Sequence, residues 1–222
     1  MRRKLKDIAE IQLGYQPRTT LRADPAGTRR VIQIRDVRED GLIDYCGLIR
    51  VSPERGPERY EVRVGDVLFI SRGSRLQAAP VGTPPFPTLA VSFFYILRPD
   101  PAVVDAAYLA WAINQPDAQE QIWKHAMGTG IPHIRREPVE SLLLEIPALD
   151  VQRRVLTVQQ LLKREAELAA RLQERRRELA LAVCLNACHA EAAQRNPRRD
   201  SRPTRRRTSA QPTPVVRPGA AP

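Results

Sequence analysis

Apolar residues change their spacing along this chain, and each change predicts a different element. Leu5 to Ile11 (LKDIAEI) is short and apolar at helical spacing, and it ends at the loop Gly14-Tyr15-Gln16-Pro17-Arg18. In Val31 to Val37 (VIQIRDV), Ile32 and Ile34 face one way while Gln33 and Arg35 face the other, the mark of a half-buried strand. Asp40-Gly41 follows as a hairpin turn, with Leu42 to Tyr45 as the return strand. Val67 to Ile70 is a continuous apolar strand that breaks at Gly73, and Leu89 to Arg98 is a long β-rich run. The stretch between them is too rich in Gly and Pro for regular structure.

Helical spacing then takes over. Asp100-Pro101 reads as an N-cap with proline in the first turn, ahead of the amphipathic run VVDAAYLAWAIN. A second helix starts at Gln115-Pro116-Asp117. It carries acid in its first turn and Lys124 and His125 in its last, both favourable to the helix dipole, with Gly128 as its C′ residue. Ser141 to Leu149 returns to strand, buried and closed by Pro147.

From Asp150 the pattern settles into three- and four-residue steps through Val151, Val155, Val158, Leu162, Ala169, Leu172, Leu179 and Val183. This predicts one helix of about 40 residues, roughly 60 Å long at 1.5 Å per residue. Such a stripe on a lone helix needs a partner helix, as in a coiled coil. Glu165 and Arg176 interrupt the seam. The chain therefore divides into an α+β domain over 1–149, a long helix over 150–192 and a Pro/Arg-rich tail over 193–222, expected to be disordered.

Charge qualifies this picture. The net charge is +11 and the pI about 10.4, which points to a polyanionic partner. Eight arginines and one aspartate lie between Arg195 and Pro222, so the preceding chain carries a net charge of only +4. Bulk charge thus belongs to the tail, and the body can bind nucleic acid only through local patches. No segment approaches the ~20 apolar residues of a membrane helix, and no signal peptide is present, so a reducing cytoplasm is expected.

Reactive constellations are missing. Gly128-Thr129-Gly130 follows no strand and lacks a third glycine, so it is no nucleotide loop. Cys184, Cys188 and His189 fall within about one and a half helical turns but have no fourth ligand at a workable spacing, so no metal site is expected. No Asp…Glu-x-Lys grouping marks a nuclease and no Asn-Pro-Pro-aromatic tetrad marks an amino-methyltransferase, so neither catalytic residues nor a cofactor are expected. Three loops instead concentrate polar side chains able to read bases or grip phosphates: Gly14 to Arg18, Arg72 to Gln77, and Gly128 to Arg136.

The segments LKDIAEIQLGYQPR, VIQIRDVREDGLID, YEVRVGDVLFISRG, DAAYLAWAIN and MGTGIPHIRREPVESLLLEIPALDVQRRV, followed by the long helix, resemble in their order the specificity (S) subunits of type I restriction–modification systems. The resemblance spans about residues 4–185, and its most specific part is the Ile-Pro-Ala-Leu-x-x-Gln-Arg-x-Val junction ahead of the helix. It implies an α+β target-recognition domain with a mixed, mostly antiparallel twisted sheet and flanking helices, then a coiled-coil helix. Complete S subunits carry two of each; this chain carries one, as a half-size form.

The resemblance further implies a non-catalytic subunit that binds a double-stranded DNA half-site, assembles with an adenine methyltransferase subunit and a restriction subunit, and homodimerises through antiparallel helices. Arg18, Gln33, Arg35, Arg72, Ser74, Arg75, Thr129, His133 and Arg135 are then expected near DNA. Val151, Val155, Val158, Leu162, Leu172 and Leu179 are expected at the helix interface. Two other readings stand beside this one: a sequence-nonspecific nucleic-acid binder acting through its tail, and a specificity subunit of another methylation-based phage-defence system.

Overall fold

The structure, a computed structural model, describes residues 1–17, 20–53 and 56–195, with side chains to residue 190. The expected tail therefore lies, from residue 196 on, outside the described residues, as does Arg18. In chain order the elements are strands β1 (Arg2–Lys4), β2 (Ala9–Leu13), β3 (Arg29–Ile32), β4 (Ile49–Val51), β5 (Val67–Ile70), β6 (Ala78–Pro80), β7 (Thr88–Ala90) and β8 (Phe94–Pro99). Helices α1 (Ala106–Ile113), α2 (Pro116–His125) and α3 (Arg136–Glu140) follow, then strand β9 (Leu143–Glu145) and helix α4 (Leu149–Arg195).

The architecture is α+β with mixed, mostly antiparallel sheets. Four strands run in the order β2-β8-β5-β6, all antiparallel, and three run β4-β3-β7 with β3 and β7 parallel. The ends β1 and β9 form a separate antiparallel ribbon that joins Arg2 to Glu145 in register. Strand β5 shows why this stacks. Val67 and Phe69 join a core with Leu109 and Ile113 of α1 and Ile122 of α2, while Leu68 and Ile70 join a second core with Val31, Ile32 and Leu89 of the three-stranded sheet. All four β5 residues are fully buried, so the strand reads as an unbroken apolar run rather than an alternating one. Each such large side chain contributes about 1.5–3 kcal/mol of burial.

Two compact units are distinguished, Met1–Arg164 and Glu165–Pro222. The first includes the opening turns of α4. There Gln152 is fully buried, Val155 and Leu156 pack against the helix-side core, and Lys163 pairs with Asp40 at 3.0 Å. Burial pushes the Asp40 carboxyl up, but hydrogen bonds from Lys163 and the Leu42 N–H, with the Lys163 and Arg38 charges, outweigh it and leave it below its ordinary value. In the second unit α4 runs to Arg195, and its side chains are exposed as far as residue 190.

Several elements differ from those the spacing predicts. Leu5 to Ile11 is not a helix: a 3-10 turn at Leu5–Asp7 leads into β2, whose pairing with β8 outweighs the short helical pattern. The strand at Val31 ends at Ile32, and Ile34–Asp36 is a 3-10 turn, with the Asp36 carboxylate accepting the Gln33 N–H at 2.8 Å. Asp40-Gly41 does turn the chain, Gly41 at φ +77°, but the return is a single Val37–Ile43 bridge rather than a strand.

The Gly/Pro-rich stretch contains β6, and the run from Leu89 splits into β7 and β8 around a turn. The first helix is capped by Asp105, not Asp100: Asp105 Oδ1 accepts the Ala107 and Tyr108 N–H groups, whereas Asp100 closes its own turn at Ala102. Gly128 is not the C′ residue of α2, which ends at His125 with Ala126 as its C-cap; its positive φ of 102° serves a later turn. Of Ser141 to Leu149 only Leu143–Glu145 is strand. Leu144 alone of the three is buried, because its face of the ribbon packs on the helix-side core while Leu143 and Glu145 face outward.

Candidate nucleic-acid interface

The turn between β7 and β8, residues Val91, Ser92 and Phe93, is a ledge on which separate loops meet. Tyr15 pairs with it through Tyr15 N–H to Ala90 O at 2.6 Å and Ser92 N–H to Tyr15 O at 2.8 Å. The approach is so close that a Cβ on Gly14 would lie 2.2 Å from Val91 O. Val91 N–H donates to Ile32 O at 3.2 Å, which sets the segment beginning at Gln33 beside the ledge. On the other side Phe93 O accepts both the Ser71 N–H, at 2.8 Å, and the Ser71 hydroxyl, at 2.9 Å.

Ser71 passes the connection on. Ile134 N–H donates to Ser71 O at 2.9 Å and Gly73 N–H to Pro132 O at 2.8 Å, so Arg72 faces His133 across an antiparallel bridge. Met127 and His133 exchange both backbone hydrogen bonds, at 2.8 and 2.9 Å, which closes 127–133 into a tight loop. Gly128 is required in it: its φ is +102° and a Cβ would meet Ile131 O at 2.8 Å.

The expected contact residues distribute over this surface as follows. Arg72, Ser74, Thr129 and Arg135 are exposed, and His133 is half-buried. The Arg72 guanidinium lies 5.9 Å from the Phe93 ring centroid, a cation–π placement that leaves its N–H edge free for an acceptor. The Arg135 guanidinium donates to the Met127 sulfur at 3.7 Å. Arg75 differs, being half-buried: one terminal nitrogen donates to Val37 O at 3.2 Å and the other is buried without a partner. With Gln77 Nε2 donating to Arg38 O at 3.1 Å, Arg75 docks the 33–38 segment, carrying Gln33 and Arg35, against the 75–77 loop. Burial pushes the Asp36 carboxyl up there, while the Gln33 N–H and the Arg35 charge 3.8 Å away partly offset it.

Sequence reasoning missed the ledge itself and three exposed apolar side chains beside the cations: Phe93, Met127 and Ile131. The signal was the pair Phe93-Phe94, of which Phe94 is fully buried and Phe93 is 43% exposed, the alternation of a strand entering the core.

On α4, Val151 and Val155 are half-buried, whereas Val158, Leu162, Leu172 and Leu179 are all more than half exposed, and Leu161, Leu168, Leu181 and Leu185 add to the apolar surface. Among the described residues, no His, Cys, Asp and Glu side chains come together in a group able to hold a metal, and no helix is long and apolar enough to cross a membrane.

The α+β domain thus gathers its loops on one ledge and continues into a long helix. No protein-family model and no curated protein matches the chain in sequence. Among solved structures the fold is that of type I restriction–modification S subunits. The chain is similar to the S subunit from M. genitalium at 18% identity and a TM-score of 0.51, over 80% of this chain and 42% of that one. It is similar to the HsdS subunit from Thermoanaerobacter tengcongensis at 20% identity and a TM-score of 0.53, over 76% and 43%. A chain from a structure of type I R-M complex assembly and conformational transition gives 20% identity and a TM-score of 0.58, over 91% and 50%. The chain thus spans half or less of the length of the solved chains it matches.

Proposed function

We propose that this chain is the DNA-specificity subunit of a type I restriction–modification system, in half-size form, with no catalytic role of its own. The observation that carries the reading is the convergence of the Tyr15, Arg72 and Met127–His133 loops about the Val91–Phe93 ledge, where exposed Arg72 lies over Phe93 and exposed Arg135 lies beside Met127. Arginine suits guanine edges or phosphates, and Gln33 suits adenine. Arg75 acts by holding the 33–38 segment in place. Net charge on the body is small, so specificity rests on these few side chains rather than on bulk attraction.

In this reading the body selects one half-site. Helix α4 carries the apolar surface for a second copy of the chain and for a methyltransferase subunit, and a restriction subunit joins that complex. Two copies related by a two-fold axis read an interrupted palindrome. The test is to express the chain with its methyltransferase and map modified adenines across the host genome. An interrupted palindrome that loses modification when the chain is omitted is the expected result. Modification that persists without the chain overturns the reading.

A further inference from the structure

The two charges that break the apolar seam of α4 point to the way a second copy sits on it. Stepping by four and three, the seam runs Val155, Val158, Leu162, Glu165, Ala169, Leu172, Arg176, Leu179, Val183. Neighbouring charges are occupied within the chain: Arg175 pairs with Glu178 at 2.7 Å and Arg177 with Glu174 at 3.8 Å. Glu165 and Arg176, both exposed, make no ion pair with any described residue.

We propose that α4 pairs with α4 of a second copy in one antiparallel register, with the two-fold axis between Ala170 and Arg171, and that reciprocal Glu165–Arg176 ion pairs fix that register. The proposal rests on the homodimer described above and adds its geometry. An axis at that point sets residues equidistant from it against each other. Val158 then meets the second copy's Val183, Leu162 meets Leu179, Glu165 meets Arg176, and Ala169 meets Leu172. Every apolar seam residue from Val158 to Val183 finds an apolar partner, and each charge finds its opposite.

Other arrangements fail on the same residues. One heptad along in either direction, antiparallel pairing sets Glu165 against Val183 or Ala169, and Arg176 against Leu172 or Val158, so four charges enter the seam unpaired. Parallel in-register pairing sets Glu165 against Glu165 and Arg176 against Arg176. A polar residue in an apolar seam is a known means of specifying register, at some expense in stability. The pairing ends at Val155, which is already packed against the body.

The experiment is sedimentation of the full chain and its charge variants, with circular dichroism to establish that helix content is kept. Glu165→Arg and Arg176→Glu should each weaken the dimer by about tenfold or more, since each creates two like-charge contacts. The double exchange Glu165→Arg with Arg176→Glu should restore it. Oxidative cross-linking follows in a Cys46→Ser, Cys184→Ser, Cys188→Ser background. A mixture of Ala169→Cys and Leu172→Cys chains, whose thiols face each other across the axis, should form a disulfide-linked dimer, and Leu162→Cys should not. A dimer unaffected by either single exchange, or one that cross-links through Leu162→Cys, overturns the register while leaving the homodimer standing. A monomeric wild-type chain overturns both.

Discussion

Gln152 Oε1 accepts the backbone N–H of Asp105 at 2.9 Å, and Asp105 in turn caps α1 with its carboxylate. The Gln152 amide group also donates to Val103 O at 3.0 Å and Pro147 O at 2.8 Å, with no exposed surface. One side chain therefore ties the first turn of α4 to the residue that starts α1 and to the chain just before α4. This accounts for glutamine at that place in the Ile-Pro-Ala-Leu-x-x-Gln junction: a single amide supplies two donors and an acceptor at the required directions. Gln152→Leu keeps the volume but strands the Asp105 N–H and two carbonyls. A loss of about 3 kcal/mol is expected from urea unfolding, and a loss below about 1 kcal/mol would mean that water replaces the amide.

Asn114 performs a related task at the other end of α1. Its side chain accepts the Ala78 N–H and donates to Ala78 O, both at 2.8 Å, and so completes the free edge of β6 as a further strand would. Asn114→Ala should lower stability by about 1–3 kcal/mol, and amide exchange at Ala78 should accelerate more than at Leu68 in the neighbouring strand. Uniform acceleration would show that the effect is not local to β6.

At the proposed DNA surface, Arg72→Ala should weaken binding to the cognate site by about 1–3 kcal/mol if its contact is a bidentate base contact. Phe93→Ala should produce a smaller loss through the same arginine, so the double variant should lose less than the sum of the two. Additive losses in a filter-binding cycle would separate the two side chains. Thr88→Ala, buried on a neighbouring strand, serves as a control that changes folding stability without altering sequence preference.

Asp66 gives a pH signature. It is 4% exposed, accepts the Arg63 N–H at 2.8 Å and lies 3.5 Å from Arg98 Nε. Burial pushes its carboxyl above the ordinary 3.8, and the Arg63 hydrogen bond and the Arg98 charge do not cancel this. The folded state therefore binds this proton more tightly than the unfolded state. The cost of burying the charge is present in full at neutral pH and is relieved as pH falls through the folded pKa towards the ordinary value. Relative to Asp66→Asn, the wild type should gain stability on acidification over that window. A difference that stays flat in urea midpoints between pH 7 and pH 4 would contradict it.

The legible parts of the chain were those where local pattern and burial agree. Strand β5 and the long α4 follow directly from apolar spacing, and α2 from its proline start and its terminal charges, because these signals are local. The pieces that escaped depend on partners far away in sequence. Strand β2 becomes a strand because β8 lies beside it, and β6 is held by Asn114 despite its proline, Pro80. Asp100 and Asp105 both offer capping carboxylates, and only packing against Gln152 decides between them. At the surface, the ledge where the loops meet is built by backbone hydrogen bonds, which side-chain identity does not encode.

The β1–β9 ribbon sets an order of events for the folding chain. Arg2 meets Glu145 across a loop of more than 140 residues, whereas β5, β6 and β8 lie within a few dozen residues of one another. Closing the longer loop costs more chain entropy, and its last strand leaves the ribosome after the central sheet is complete. The ribbon and the Gln152 tie beside it therefore close late in synthesis. Until then the central sheet is in place while the first turn of α4 has no fixed root in the body.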